Sequence, residues 1–215
     1  SLDRCIASID ASLKNAAPLD AEIVIINNAS TDNTEEVVKA WNEKSDFEVR
    51  HVYEAKKGIG PARNCGMRSA TGDVIIWTDD DCVLDIDHIS QAVAYYKNDK
   101  EPTLRYGSVY LGDEKDWPMT VHTCPYIRQW KKDRSDLPFP NMGSMIGCNM
   151  MIPREIIEAV GPYDERFGTK IIPGGEDADL GFRIYDLGYL IEYVPDMRVK
   201  PVSYTHLTLP TISSV

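Results

Sequence analysis

Three consecutive carboxylates, Asp79, Asp80 and Asp81, close an apolar run, Val74-Ile75-Ile76-Trp77. A strand that ends on clustered like charges carries both repulsion and desolvation. A hard divalent cation with oxygen ligands is the usual compensation. A second polar cluster, Asn27-Asn28, closes the run Ile23-Val24-Ile25-Ile26. A third, Glu176-Asp177, follows Gly174-Gly175 and opens a helical pattern carried by Leu180, Ile184 and Leu187. Asp177 shares that apolar face, so it points along the buried stripe. The helix N-terminus favours its anion, and an ionised carboxylate can act as a base. Arg63, just after Gly58-Ile59-Gly60-Pro61, could supply positive charge for a phosphate.

Each feature also has a plainer reading. Asn27-Asn28 fits a left-handed turn. The aspartates fit a solvated capping loop. Asp177 fits an ordinary first-turn helix charge, and a lone Arg63 a surface residue. His51, His88 and His122 lack metal-ligand spacing and read as structural or exposed. The tryptophans read as core, except within 112–143.

The elements that must position these residues follow from periodicity. Leu2, Ile6, Ile9 and Leu13 recur at helical spacing. The run 23–26 is a strand covered on both faces. Asp32 with Glu35 predicts a capping box for a helix carrying Val37, Val38 and Trp41. Residues 47–53 read as the next strand. Pro61 suits the first position of a helix that runs to about residue 70, with Gly72 near its end. The 74–77 strand follows, then a helix with the stripe Ile89, Ala92, Val93 and Tyr96. Strand and helix alternate, which predicts an α/β fold with a mostly parallel sheet and helices on both faces. In such sheets ligands bind beyond the carboxyl ends of the strands, so both polar clusters belong on one edge.

The second half is less regular. Strands are expected at 103–111, 144–152 and 189–194. A short helix opens at Pro153, and another spans 176–187 and is closed by Gly188. The Pro-rich stretch 112–143, with Trp117, His122, Tyr126, Trp130 and Phe139, is long enough to be functional.

The 215 residues are 43% hydrophobic and 27% charged, which suits one globular domain. A net charge of −11 with no basic block argues against nucleic-acid binding. Five scattered cysteines, an odd number without CxxC spacing, argue against a disulfide framework and a zinc site, and fit a reducing compartment. No apolar stretch approaches the roughly 18 residues of a membrane span. No secretory signal is visible, and the chain starts at Ser1 rather than Met. Residues 202–215, beginning Val202-Ser203-Tyr204-Thr205-His206, resemble the translation of a sequencing adaptor and are set apart from the domain at 1–201.

Order and spacing together say more than any single feature. Asn27-Asn28-Ala29-Ser30-Thr31-Asp32-Asn33-Thr34, Gly58-x-Gly60-x-Ala62-Arg63-Asn64-x-Gly66, Thr78-Asp79-Asp80-Asp81, Gly147-x-Asn149 and Gly174-Gly175-Glu176-Asp177 occur in one order. This set closely resembles the family 2 glycosyltransferases, inverting enzymes of the Rossmann-like GT-A fold, over essentially all of residues 1–201. The stretch 106–117 looks most like bacterial members. The resemblance implies a nucleotide-sugar donor, in the first place a UDP-sugar. It implies a glycan or lipid-linked acceptor in surface polysaccharide synthesis, and a cytoplasmic enzyme whose full-length parent associates peripherally with the membrane.

Residue by residue, the resemblance implies donor-nucleotide contacts from Asn27, Asn28, Arg63, Asp79 and Asp80. It assigns Mn²⁺ or Mg²⁺ ligation to Asp81 with Asp79, sugar or acceptor contacts to Gly147, Asn149 and Glu176, and the catalytic base to Asp177. This chain departs from the pattern where Asn27 and Asn28 replace acidic residues. The family's first strand would precede Ser1 and is lacking, and His206 does not stand for a metal-binding histidine that some members carry further on. Two rival readings remain: a non-enzymatic sugar- or nucleotide-binding module, favoured if Asp177 faced solvent far from Asp81, and a haloacid-dehalogenase-type phosphohydrolase built on Asp79-x-Asp81.

Overall fold

The computed structural model describes residues 1–112, 121–132, 147–169, 172 and 174–201. The adaptor-like tail with His206, Trp117 and Phe139 of the long loop, and the start of the strand expected at 144 lie outside the described residues.

The first half alternates as expected: α1 (Leu2–Ala16), β1 (Glu22–Asn27), α2 (Thr34–Lys44), β2 (Glu48–Tyr53), α3 (Ile59–Ser69), β3 (Val74–Trp77), β4 (Cys82–Leu84) and α4 (His88–Asn98). The second half adds β5 (Thr103–Val109), β6 (Arg128–Trp130), β7 (Met150–Pro153), α5 (Arg154–Val160), α6 (Glu176–Asp186) and β8 (Leu190–Pro201).

The α/β architecture stands, but the sheet is mixed rather than mostly parallel. β1 pairs parallel with β2. In the larger sheet, ordered β3-β7-β5-β8-β4, only β5 and β8 run parallel; β7 is antiparallel to both β3 and β5, and β4 and β6 are antiparallel to β8. The alternation that predicts parallel strands breaks after α4. From there β7 and β8 enter the sheet without the regular strand–helix–strand crossover that enforces parallel pairing. β5 lies at the centre and is buried along its whole length, as a strand covered on both faces must be.

Helices do cover both faces. Met150 and Ile152 of β7 pack with Met67 of α3, Ile156 and Ile157 of α5, and Leu180 and Ile184 of α6. Met151, between them, packs with Ala92 of α4, Val194 and Met197. The period-2 alternation of a strand explains this split. β1 and β3 do not pair with each other. Val24 and Ile26 of β1 and Val74 and Ile76 of β3 line one cavity with Leu2, Ile9 and Leu13 of α1.

Local expectations hold with corrections. Asn33, not Asp32, stands at the N-cap position of α2, without a side-chain cap bond; Asp32 Oδ1 accepts from the Thr34 N–H at 3.1 Å. Pro61 sits third in α3, still within the first turn where its missing N–H costs nothing. Leu187 is 55% exposed and Tyr96 40% exposed, so neither belongs to the buried stripe of its helix. β8 runs seven residues beyond the expected end at Val194, across a register shift opposite Gly107 and Ser108.

Candidate active site

The carboxylates sit on a tight turn. The Cys82 N–H donates to the Asp79 carbonyl at 3.1 Å, closing Asp79-Asp80-Asp81-Cys82 between β3 and β4. The Cys5 thiol, from the first turns of α1, donates to the same carbonyl at 3.4 Å. Backbone and helix thereby fix the turn, leaving the three carboxylates at the cavity. Partial burial raises Asp79; Arg63 opposes this, while Asp81, Asp80 and Glu176 add to it. Burial, then Asp80, raises Asp81, against a weak thiol donation from Cys82 at 3.6 Å. Both groups hold protons more tightly than free aspartates, chiefly because burial penalises their charged form.

Arg63 and Asp177 converge from opposite sides. Gly174 and Gly175, both at φ +91, turn the chain into α6 through left-handed backbone that other residues rarely adopt. Asp177, in the first turn, lies on the inner face as expected, with its side chain 15% exposed. Arg63 on α3 is 7% exposed. Its Nη1 donates to the Gly147 carbonyl at 2.9 Å; Nη2 lies 3.6 Å from Asp79 and Nε 3.7 Å from Asp177. Burial works against the charge on Arg63, but Asp177, Asp79 and Glu176 hold its proton more firmly than in water.

Burial also dominates at Asp177. It pushes the carboxyl up to about 6, helped by Glu176 and Asp79 and opposed by Arg63 and the Gly147 backbone. The stabilisation expected from the helix N-terminus is outweighed. The result is a carboxylate poised near neutrality, which suits a general base. Gly147 fits only because it has no side chain: a Cβ there would lie 2.1 Å from Arg63 Nη2 and 2.3 Å from Asp177 Oδ2.

Glu176 is buried at 6% exposure and lines the same cavity. The cavity, about 1080 Å³, reaches from the apolar side chains of α1, β1 and β3 to this cluster and is lined by Asn27, Asn28, Arg63, Asp79, Asp80, Asp81, Gly147, Glu176 and Asp177. Of nine buried side-chain polar atoms without a hydrogen-bond partner among the described residues, five line it: Arg63 Nε, Trp77 Nε1, Thr78 Oγ1, Glu176 Oε2 and Asp177 Oδ1. Buried polar atoms are nearly always paired, so such a concentration marks a place built for a ligand or ordered water.

The amides of Asn27, Asn28 and Asn149 are committed elsewhere. Asn27 meets His51 Nε2 at 3.0 Å and accepts from the Ser30 N–H at 2.9 Å. Asn28 donates to the Glu54 and Lys56 carbonyls and accepts from the Gly58 N–H, tying down the turn ahead of α3. Both line the cavity, but as its frame. Asn149 does not line it: 1% exposed, it bonds His88 Nε2 and the carbonyls of Ser108 and Met197. Tyr163 and Trp77, which flank Arg63, carry no sequence signal, because nothing in local spacing brings residue 163 beside residue 63.

Among the described residues no three metal-ligating side chains are preassembled. That suits a cation bound mainly through substrate phosphates and water, with one or two protein carboxylates, and the donor set present is all oxygen.

The model of the family described as "Glycosyl transferase family 2" matches residues 1–161. The chain belongs to this family. That excludes the phosphohydrolase reading. Probable glycosyltransferase YdaM of Bacillus subtilis is 28% identical over 186 residues, covering 81% of this chain but 41% of YdaM. The chain thus spans less than half the length of this relative. Two solved structures share the fold, which is GT-A. Mannosyltransferase PcManGT from Pyrobaculum calidifontis, in complex with GDP-Man and Mn²⁺, matches with TM-score 0.65 at 21% identity, over 94% of this chain and 54% of that one. S. aureus TarS 1–349, in complex with UDP, matches with TM-score 0.67 at 14% identity, over 93% and 55%.

Proposed function

We propose that the cleft transfers a sugar from a nucleoside diphosphate donor, in the first place a UDP-sugar, to an acceptor hydroxyl, with inversion at the anomeric carbon. The observation that carries this reading is the convergence of Asp79, Arg63 and Asp177 on one cavity, with Arg63 within 3.7 Å of both carboxylates. Asp177 takes the proton of the attacking hydroxyl; its buried carboxyl is ionised at neutral pH yet basic enough to accept it. A single in-line attack opposite the leaving group inverts the centre.

Among the described residues, five carboxylates line this end of the cavity against one guanidinium. A diphosphate entering alone would be repelled, so the reading requires a divalent cation to enter with it. Asp81, with Asp79, would hold Mn²⁺ or Mg²⁺, which when bound neutralises the charge developing on the leaving diphosphate. Arg63 lends its unpartnered donor to the same charge. The complexes of the two similar proteins, with GDP-Man and Mn²⁺ and with UDP, support this choice of ligands.

The same reading puts the reaction in the cytoplasm, at the membrane face where a glycan or lipid-linked acceptor is presented; for the reducing compartment its support is the set of free cysteines. A non-enzymatic binding module is disfavoured, because Asp177 is sheltered and linked through Arg63 to Asp79 rather than facing solvent. The test is NMR of the product formed from a UDP-sugar. Inverted anomeric configuration, lost in Asp177→Asn, is expected. Retained configuration, or unchanged turnover in Asp177→Asn, overturns the reading.

A further inference from the structure

Arg63 poses a mechanical question. Its ion pairs at 3.6 and 3.7 Å are too long to be hydrogen bonds, and a single bond to the Gly147 carbonyl leaves the guanidinium free to pivot. Two rings restrain it. The guanidinium carbon lies 5.6 Å from the centroid of Trp77 and 5.8 Å from that of Tyr163. Both distances are within reach of a cation–π attraction, which strengthens when the cation is desolvated.

Tyr163 is itself held by the helix that carries Arg63. The Asn64 side chain donates to the Tyr163 carbonyl at 3.0 Å and accepts from its N–H at 2.8 Å. Tyr163 is 2% exposed and packs in the core with Ile156, Leu180 and Ile184. Its hydroxyl is buried without a hydrogen-bond partner, so the ring face is what this position supplies.

We infer that Tyr163 is a positioning residue: its ring, together with that of Trp77, holds Arg63 so that its free donors face the gap between Asp79 and Asp177. The consequence for donor binding rests on the proposed function; the clamp itself does not. The hydroxyl is dispensable and the aromatic face is required.

The experiment compares Tyr163→Phe, Tyr163→Leu and Ile156→Ala, the last a core change in the same cluster away from the cavity. The first readout is the Arg63 Nε–Hε NMR signal. It is sharp and solvent-protected in the parent and in Tyr163→Phe, persists in Ile156→Ala, and is broadened or lost in Tyr163→Leu. The second readout is UDP affinity with Mn²⁺. Tyr163→Leu weakens it roughly tenfold or more, while Tyr163→Phe stays within about twofold. In a double-mutant cycle, Tyr163→Leu adds little to Arg63→Ala. An unchanged Arg63 signal in Tyr163→Leu, equal damage from Phe and Leu, or additive effects in the cycle overturns the inference. Failure of UDP to bind the parent defeats the donor reading instead and leaves the NMR arm to decide the clamp.

Discussion

Arg63 Nε and Asp177 Oδ1 stand 3.7 Å apart, and each is buried without a hydrogen-bond partner. A pair so close in a low-dielectric site normally closes to hydrogen-bond distance. Here the separation leaves both atoms uncommitted, one to accept a proton and the other to meet an anion. Burial of Asp177, opposed by Arg63, sets a pH signature. Asp177 titrates near 6 in the folded state, against a usual 3.8. Activity measured as kcat/KM rises with pH through about 6, and a bound cation moves this acid limb lower. Stability runs the other way. The folded state holds the Asp177 proton more tightly than the unfolded state does. Its contribution is therefore complete below about pH 4 and is lost as pH climbs through about 6, worth up to about 3 kcal/mol. Asp177→Asn removes this pH dependence from denaturation curves and leaves the protein no less stable at pH 8, while abolishing turnover.

Gly147 tests the tightness of the site. A Cβ at this position would meet the ends of two flexible side chains, Arg63 and Asp177, and not backbone. Gly147→Ala therefore still folds but displaces both groups. A displacement of about 1 Å in a catalytic pair costs on the order of a hundredfold in rate. Thermal denaturation and initial rates on the same sample separate the two effects; a fully active Gly147→Ala would contradict the geometry.

The aspartates on the turn should divide their labour. Asp81→Asn weakens Mn²⁺-dependent UDP binding and shifts the half-saturating Mn²⁺ concentration upward by at least about tenfold. Asp79→Asn also removes one of the two anions near Arg63, so its effect includes a lowering of the Asp177 acid limb, because Asp79 is one of the charges raising that carboxyl. Manganese titrations and pH–rate profiles of the two variants distinguish these roles.

Asn28 should behave as a structural residue. Its amide makes three backbone bonds to the 54–58 turn. Asn28→Ala costs roughly 1–3 kcal/mol of stability through unsatisfied backbone groups. Asn28→Asp does no better, since a carboxylate would oppose the Glu54 and Lys56 carbonyls. If Asn28→Ala were neutral in stability yet abolished UDP binding, the residue would be a direct donor contact instead.

Much of this arrangement was legible along the chain. The 74–77 strand and the placement of Asp177 on the inner face of α6 follow from periodicity and spacing, because helix faces and strand ends are local properties; a place for Arg63 beside the donor site was implied only by the family resemblance, since spacing alone left it a surface residue. β4 and β6 were not legible, since three residues give too short a pattern to distinguish from a loop. Strand sense in the second half depends on which edge of the sheet remains open after α4. Ligand contacts for Asn28 and Asn149 are implied by the resemblance alone; the carbonyls their amides reach, those of Glu54, Lys56, Ser108 and Met197, come from distant elements that spacing does not place. The rise at Asp177 was missed for the same reason: its helix N-terminus is local, but the burial that overrides it comes from distant elements.

The central claim is that the carboxylates and Arg63 form a cation-dependent diphosphate site. Calorimetric titration of UDP into the protein, with and without Mn²⁺, tests it most directly. The account predicts saturable binding with Mn²⁺, none measurable without it, and loss of the Mn²⁺-dependent signal in Asp81→Asn. Equal binding with and without Mn²⁺, or undiminished binding in Asp81→Asn, would contradict it.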